Sequence, residues 1–275
     1  MYLKWNPNME TNIWETSELF EGDIMLYNTR NAILNDTLIW PDAIVPYYID
    51  PVDFDDAEIA IIKNAIEEYH EKTCVKFRPY EDGDLSWVTI KGNTTGCWSS
   101  IGMRFGGQIL NLNPMKCVRH GTVVHELLHV LGFVHQQSSP DRDNYVKIIW
   151  DNIKKGKKKN FRKYEYTEAT SFGVEYDYDS IMHYGRKAFS KNGEPTIVAL
   201  KNGVKIGQRK KLSTKDVIKL QRMYERECKL TESTTTTTTP KTPASDSDED
   251  EDDDDEDEGF FSGFLELFEN IFDFA

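Results

Sequence analysis

His125-Glu126-Leu127-Leu128-His129-Val130-Leu131-Gly132-Phe133-Val134-His135 is the stretch on which the reading of this chain turns. On a helix, His125 and His129 stand four residues apart and share one face. That separation suits two Zn–N bonds of about 2.0–2.1 Å to one ion. Glu126 adjoins the first ligand, on the flank from which a carboxylate reaches a zinc-activated water without occupying the metal. Gly132 is placed to end the helix in a left-handed turn, which brings His135 round as a third ligand. Three protein ligands leave zinc an open position, the arrangement of a catalytic rather than a structural site. Three of the six histidines in the chain fall in this one window, which argues against mere decoration of an amphipathic helix.

A second segment, Tyr178-Asp179-Ser180-Ile181-Met182-His183-Tyr184-Gly185, reads as a tight turn with an apolar floor. A methionine turn of this kind lies beneath the zinc histidines of metzincin proteases. Together, H-E-x-x-H-x-x-G-F-x-H and Ser180-Ile181-Met182-His183-Tyr184 resemble the astacin family of zinc endopeptidases. Pro140-Asp141-Arg142-Asp143-Asn144-Tyr145-Val146 and Gly96-Cys97-Trp98-Ser99 carry the likeness further, so that it runs from about Asn31 to Cys228.

The resemblance implies roles that spacing alone does not. Tyr184 becomes a fifth, displaceable zinc ligand that swings away to stabilise the reacting carbonyl oxygen. Met182 is a packing residue of the Met-turn, and His183 a hydrogen-bonding one; His70 and His120 have no evident partners. Glu126 is the general base. Phe20-Glu21-Gly22-Asp23-Ile24 resembles the F-x-G-D segment of astacin pro-peptides, which makes Asp23 a latency switch on the zinc. Arg30-Asn31 resembles the activation junction, and cleavage after Arg30 calls for a trypsin-like protease as partner. One position departs from the family: Gln136 stands where a glutamate linked with the new N-terminus is usual. An amide there keeps hydrogen bonding but lacks charge, which implies weaker coupling between processing and cleft order.

The four cysteines allow three pairings, and the sequence alone does not choose. The resemblance favours Cys97–Cys117 and Cys74–Cys228. Bridges imply an oxidising compartment. Residues 1–25 hold no continuous apolar run, because Lys4, Asn6, Asn8, Glu10, Asn12 and Glu15 interrupt it. The expectation is therefore a secreted protein whose leader is not visible in this chain. Asn35-Asp36-Thr37 and Asn93-Thr94-Thr95 are acceptor sequences for N-glycosylation. No stretch is long and apolar enough to span a membrane.

The 275 residues carry a formal net charge of −14, yet residues 231–275 hold 16 acidic and 1 basic side chains. The remainder is thus close to neutral, and no basic patch argues for nucleic acid. Periodicity predicts a helix over 58–71, with Ile59, Ile62, Ala65, Ile66 and Tyr69 on its apolar stripe. Strands are predicted at 45–49 and 87–90, a last helix over 213–227, and near Cys97–Ile101 a strand able to pair with an extended peptide.

The expected fold is α+β and two-lobed. A twisted mixed sheet with two long helices precedes a mostly irregular C-terminal lobe, and the cleft lies between them. The expected divisions are a pro-peptide remnant over 1–30, the catalytic domain over 31–229, a disordered Thr/Pro-rich and acidic linker over 230–258, and a short amphipathic segment over 259–275. That last segment has Phe260, Phe261, Phe264, Leu265, Phe268, Ile271 and Phe272 near helical spacing but no cationic face, and its partner is unassigned. Two functions fit: an endopeptidase cutting proteins or peptides, with one zinc per chain, or a non-catalytic binder that keeps the fold. Intact Glu126, intact ligands and a pro-switch favour the enzyme.

Overall fold

The computed structural model describes residue 17 and residues 19–26 and 38–235. The Arg30–Asn31 junction, Asn35 and the acidic and aromatic tail segments lie outside them. Chain order gives β1 (Ile44–Ile49), α1 (Asp56–Lys72), β2 (Lys76–Pro79), β3 (Ser86–Lys91), β4 (Cys97–Trp98), β5 (Gly106–Leu112), α2 (Pro114–Cys117) and α3 (His120–Val130). After these come β6 (Val146–Ile148), β7 (Ile197–Ala199), α4 (Thr214–Met223) and α5 (Glu225–Thr235).

Helix α1 begins two residues before its apolar stripe predicts, because Asp55 and Glu58 form a capping box. The Asp55 carboxylate accepts the Glu58 N–H at 2.8 Å, and Glu58 accepts the Asp55 N–H at 3.0 Å. Its stripe of Ile62, Ala65, Ile66 and Tyr69 is buried against α3, and the Tyr69 hydroxyl donates to the Val124 carbonyl at 2.6 Å. The first sheet runs β2-β1-β3-β5-β4, parallel except for the antiparallel β4–β5 pair. Val45, Val88, Ile90, Leu110 and Leu112 from this sheet share one core with both helices. A parallel sheet needs such helical crossovers, because its strands cannot be joined by tight turns.

Helix α3 is buried from Gly121 to Val130. At its start Gly121 has no room for a side chain: a Cβ would lie 2.0 Å from the Arg209 carbonyl oxygen. Gly121→Ala is expected to cost about 1–3 kcal/mol through overpacking, read as a lower denaturant midpoint. A midpoint equal to wild type would show that this contact relaxes freely. At the other end Gly132 has φ +104°, and the Phe133 N–H bonds back to the Leu128 carbonyl at 3.1 Å. This is the left-handed exit predicted from sequence.

A second cluster of Val146, Ile148, Phe161, Tyr176, Tyr184, Phe189 and Ile197 lies around the small antiparallel β6–β7 sheet. The chain between them is mostly irregular. The last helix is not continuous over 213–227. It breaks at Tyr224, whose buried hydroxyl donates to the Leu131 carbonyl at 3.2 Å. Helix α5 then runs on to Thr235, into the segment expected as a linker. Cys74–Cys228 anchors α5 to the end of α1, and Cys97–Cys117 joins β4 to α2. Closing loops of 154 and 20 residues contributes about 5 and 3 kcal/mol in the chain-entropy picture.

Candidate metal centre

Each of the three histidines is buried, and each is oriented by a hydrogen bond from its Nδ1–H. His125 donates to the Ile181 carbonyl at 2.9 Å, His129 to the Phe133 carbonyl at 2.7 Å, and His135 to Glu21 Oε2 at 2.7 Å. This arrangement fixes the tautomer that turns all three Nε2 lone pairs inward. The Nε2 atoms of His125 and His135 lie 3.3 Å apart. Two buried lone pairs at that distance need a proton or a cation between them. Asp23 completes the group, with Oδ2 at 3.2 Å from both of these nitrogens and Oδ1 at 3.6 Å from His129 Nε2. The four ligand atoms all lie within 4.8 Å of one another. A His₃–carboxylate set with no competing donor fits zinc.

Electrostatics sorts the two carboxylates. Burial disfavours charge on Asp23, but His135 and the hydrogen bonds of the three imidazoles hold its carboxyl well below the usual range. His135 is itself pushed up to about 9, the Asp23 and Glu21 carboxylates outweighing its burial. Glu126 moves the other way: burial, then the Asp23 charge, raises it well above an ordinary carboxyl. Neither of its oxygens has a hydrogen-bond partner among the described residues. Such divergence between neighbouring carboxyl groups is how environments fit two carboxyls for different tasks.

The Met-turn lies where the sequence predicts. Buried Met182 offers its carbonyl to the Gln136 N–H at 3.1 Å, linking the turn to the residue after His135. Tyr184 is buried beside His135, ring centroids 4.7 Å apart, and its hydroxyl donates to the Glu21 carbonyl. His183 is held neutral, its pKa lowered to about 3 by burial; Tyr176 donates to its Nε2 at 2.7 Å. His120 and His70, by contrast, sit near the outside. His120 Nε2 meets Glu68 at 2.6 Å, and His70 Nε2 accepts the Phe77 N–H at 2.9 Å.

The edge near Cys97 is occupied by the chain itself. Met25 N–H donates to the Ser99 carbonyl at 2.8 Å and Ser99 N–H to the Asp23 carbonyl at 2.9 Å, forming a parallel bridge. Four further residues contribute that motif reading passed over. Glu21 is described above. Asp216 accepts from Ser180 Oγ at 2.6 Å and from the Ile181 N–H at 2.9 Å, and so holds the Met-turn. Lys219, one turn further along α4, donates to the Gln136 side chain. Arg209 is partly buried, donates to the His183 carbonyl at 2.8 Å, and is lowered to about 10 by desolvation of its guanidinium, which Asp23 and Glu126 offset in part. Only the Ser213 to Asp216 capping pattern was a local signal for any of them.

The sequence profile of the Astacin peptidase family matches residues 32–225. The chain is 38% identical over 218 residues to zinc metalloproteinase nas-7 of Caenorhabditis elegans, covering 78% of this chain and 56% of that protein. It is 41% identical over 230 residues to meprin A subunit beta of Homo sapiens, covering 78% of this chain and 32% of the human one. The chain therefore spans about half the length of such relatives, or less. A solved structure, the hatching-enzyme zinc protease high choriolytic enzyme 1 of Oryzias latipes, superposes with a TM-score of 0.66 at 34% identity. That match covers 71% of this chain and 99% of the other. Because the profile takes in all three histidines, Glu126, the Met-turn and the Asp216 grip beneath it, the chain belongs to the astacin family.

Proposed function

We propose that this chain is a zinc-dependent endopeptidase, made as a latent precursor and secreted into an oxidising compartment. The observation that carries the reading is the convergence of three inward Nε2 atoms beside Glu126, a buried carboxylate with no hydrogen-bond partner among the described residues. Zinc, when bound, supplies a Lewis acid for the peptide carbonyl and lowers the pKa of water toward neutrality. His125, His129 and His135 would hold it. Glu126 takes a proton from the attacking water and delivers it to the leaving amine nitrogen. Tyr184 would be a further, displaceable residue holding the metal, and its hydroxyl, which the Glu21 carbonyl now accepts, would donate a hydrogen bond to the substrate's carbonyl oxygen.

Latency follows from what now fills these positions. Asp23 takes up the imidazoles' Nε2 side, and residues 23–25 use the Ser99 main-chain groups that an extended substrate would use. Cleavage after Arg30 by a trypsin-like protease is the proposed release step. The two disulfides support secretion, and among the described residues no helix is long and apolar enough to cross a membrane. The test uses trypsin-treated protein and a proteome-derived peptide library, with products identified by mass spectrometry. Internal cleavage abolished by a zinc chelator and restored by added zinc is expected. Cleavage indifferent to the chelator, or none at all, would favour a binding protein with the same fold.

A further inference from the structure

The near-neutral average of the chain before its acidic tail conceals one dense run of charge. From Lys154 to Lys163 the sequence is Lys-Lys-Gly-Lys-Lys-Lys-Asn-Phe-Arg-Lys, seven cations in ten residues with no acid among them. Composition of this kind points toward polyanions but does not by itself make a surface. The fold does, because the run is a fixed loop rather than a tether. Ile153 is buried and bridges to Ser190, the Lys157 N–H donates to the Lys154 carbonyl at 3.1 Å, and Gly156 at φ +80° shapes that turn. A 3-10 turn follows over Lys158–Phe161. Its two uncharged residues, Asn160 and Phe161, are buried. The Phe161 ring packs on Tyr184 and Phe189, with centroids 5.8 and 6.1 Å away, and its carbonyl accepts from Arg142 at 2.6 Å.

The cations differ in what answers them. Lys163 pairs with Asp143 at 2.8 Å, Arg162 pairs with Glu168, and the Lys157 ammonium lies 5.8 Å from the centre of the Phe189 ring. Lys154, Lys155, Lys158 and Lys159 are exposed, and among the described residues none of them has an ion pair or a side-chain hydrogen bond. The segment bonded to this loop adds more of the same sign. The Lys154 N–H donates to the Phe189 carbonyl and the Lys191 N–H to the Asn152 carbonyl, each at 2.9 Å, and Lys187 and Lys191 are exposed. Asp151 and Glu194 are the carboxylates at the margins of the two segments. Like charges so placed repel one another, and a polyanion laid across them gains without first having to order the protein.

Which polyanion fits follows from what the loop does not expose. It presents no aromatic ring on which a base could stack, and its one large apolar side chain, Phe161, is buried and unable to enter a membrane. Ammonium groups on long stems act as separate point charges, which suits single sulfates spaced along a chain. We propose that Lys154, Lys155, Lys158 and Lys159, flanked by Lys187 and Lys191, form a docking surface for a sulfated polysaccharide. The choice of partner rests on the proposed secretion, since such polymers belong to the extracellular matrix. None of these lysines is part of the metal cluster, so the surface localises the protease and takes no part in its chemistry.

The experiment measures binding of the purified full chain to immobilised heparin at about 0.15 M salt, where surface charges are already partly screened. Desulfated heparin, polyglutamate, duplex DNA and phosphatidylserine vesicles serve as competitors, compared at equal charge. Soluble heparin is expected to compete best, at least tenfold better than its desulfated form. K154Q/K155Q/K158Q/K159Q should weaken heparin binding at least tenfold and flatten its dependence on salt, because each cation removed no longer displaces a counterion. K158Q/K159Q should fall between this variant and wild type. These side chains have no partners among the described residues to lose, so unchanged hydrolysis of a short uncharged peptide is expected and reports that the variants fold. No binding by wild type, binding unchanged in the quadruple variant, or another competitor matching heparin would each overturn the surface. Chelator-sensitive cleavage and export from expressing cells are scored separately. Failure of either would sink the corresponding part of the proposed function while leaving the measured affinity standing.

Discussion

Glu126→Gln is expected to keep the metal and to lower kcat by a factor of about 10²–10⁴, the range for loss of a positioned general base. The substitution is nearly isosteric, so the buried position is filled as before. The three imidazoles are oriented by Ile181, Phe133 and Glu21, none of which depends on Glu126, and their arrangement should persist. What is lost is proton capacity. A carboxylate can accept a proton from water and hand it to the departing amine, and burial favours the protonated form it passes through. An amide can do neither. Zinc content by mass spectrometry and turnover of a quenched peptide are the two readouts. Turnover within tenfold of wild type would remove Glu126 from the mechanism, whereas loss of zinc would make it a structural residue.

Asp23→Ala should have the opposite sign, giving an uncut precursor that already hydrolyses peptide. Asp23 supplies the only non-histidine ligand atom in the cluster. Removing one partner of a buried, hydrogen-bonded charge group costs about 2–5 kcal/mol, most of it from the groups left unpaired. On that scale the closed arrangement of residues 19–26 loses at least a factor of ten in population relative to open ones. Full activity is not expected, because Glu21 and the Ser99 main-chain bonds still hold the segment. Activity of the intact precursor, verified as uncut by mass spectrometry, is the measurement. A zinc-loaded but silent Asp23→Ala precursor would show that covering the Ser99 edge, rather than occupying the metal position, produces latency.

How far the sequence led depended on the range of the interaction. The convergence of His125, His129 and His135 was legible because four-residue helical spacing and one left-handed glycine are local facts, and the structure brings those three residues together with Asp23. The stripe of α1 was equally local. Its first turn was placed late because the Asp55/Glu58 box precedes the apolar run. The break at Tyr224 was not visible, since the periodic pattern continues through it. The chain turns there because one phenol hydroxyl bonds to Leu131, a residue 93 positions away. Glu21 was passed over for a different reason. In the F-x-G-D pattern it occupies the wildcard, and only three dimensions reveal that its carboxylate partners are Ser138 and His135. His120, without an evident partner in sequence, meets Glu68, which also accepts the Leu212 N–H at 2.8 Å.

Helix α4 grips both ends of the metal site from below. Asp216 holds the Ile181 peptide whose carbonyl orients His125, and Lys219 holds the side chain next to His135. The chain thus meets the last histidine of the cluster at His135, yet the frame that aims the three imidazoles is completed only at Asp216 and Lys219. A fragment ending before Ser213 would contain His125, His129, His135 and Glu126, and still lack the part that sets their geometry. Synthesis from the N-terminus therefore delivers the chemistry long before it delivers the fold that makes it work. During that interval the chain is expected to cleave no peptide, whether or not residues 19–26 have docked.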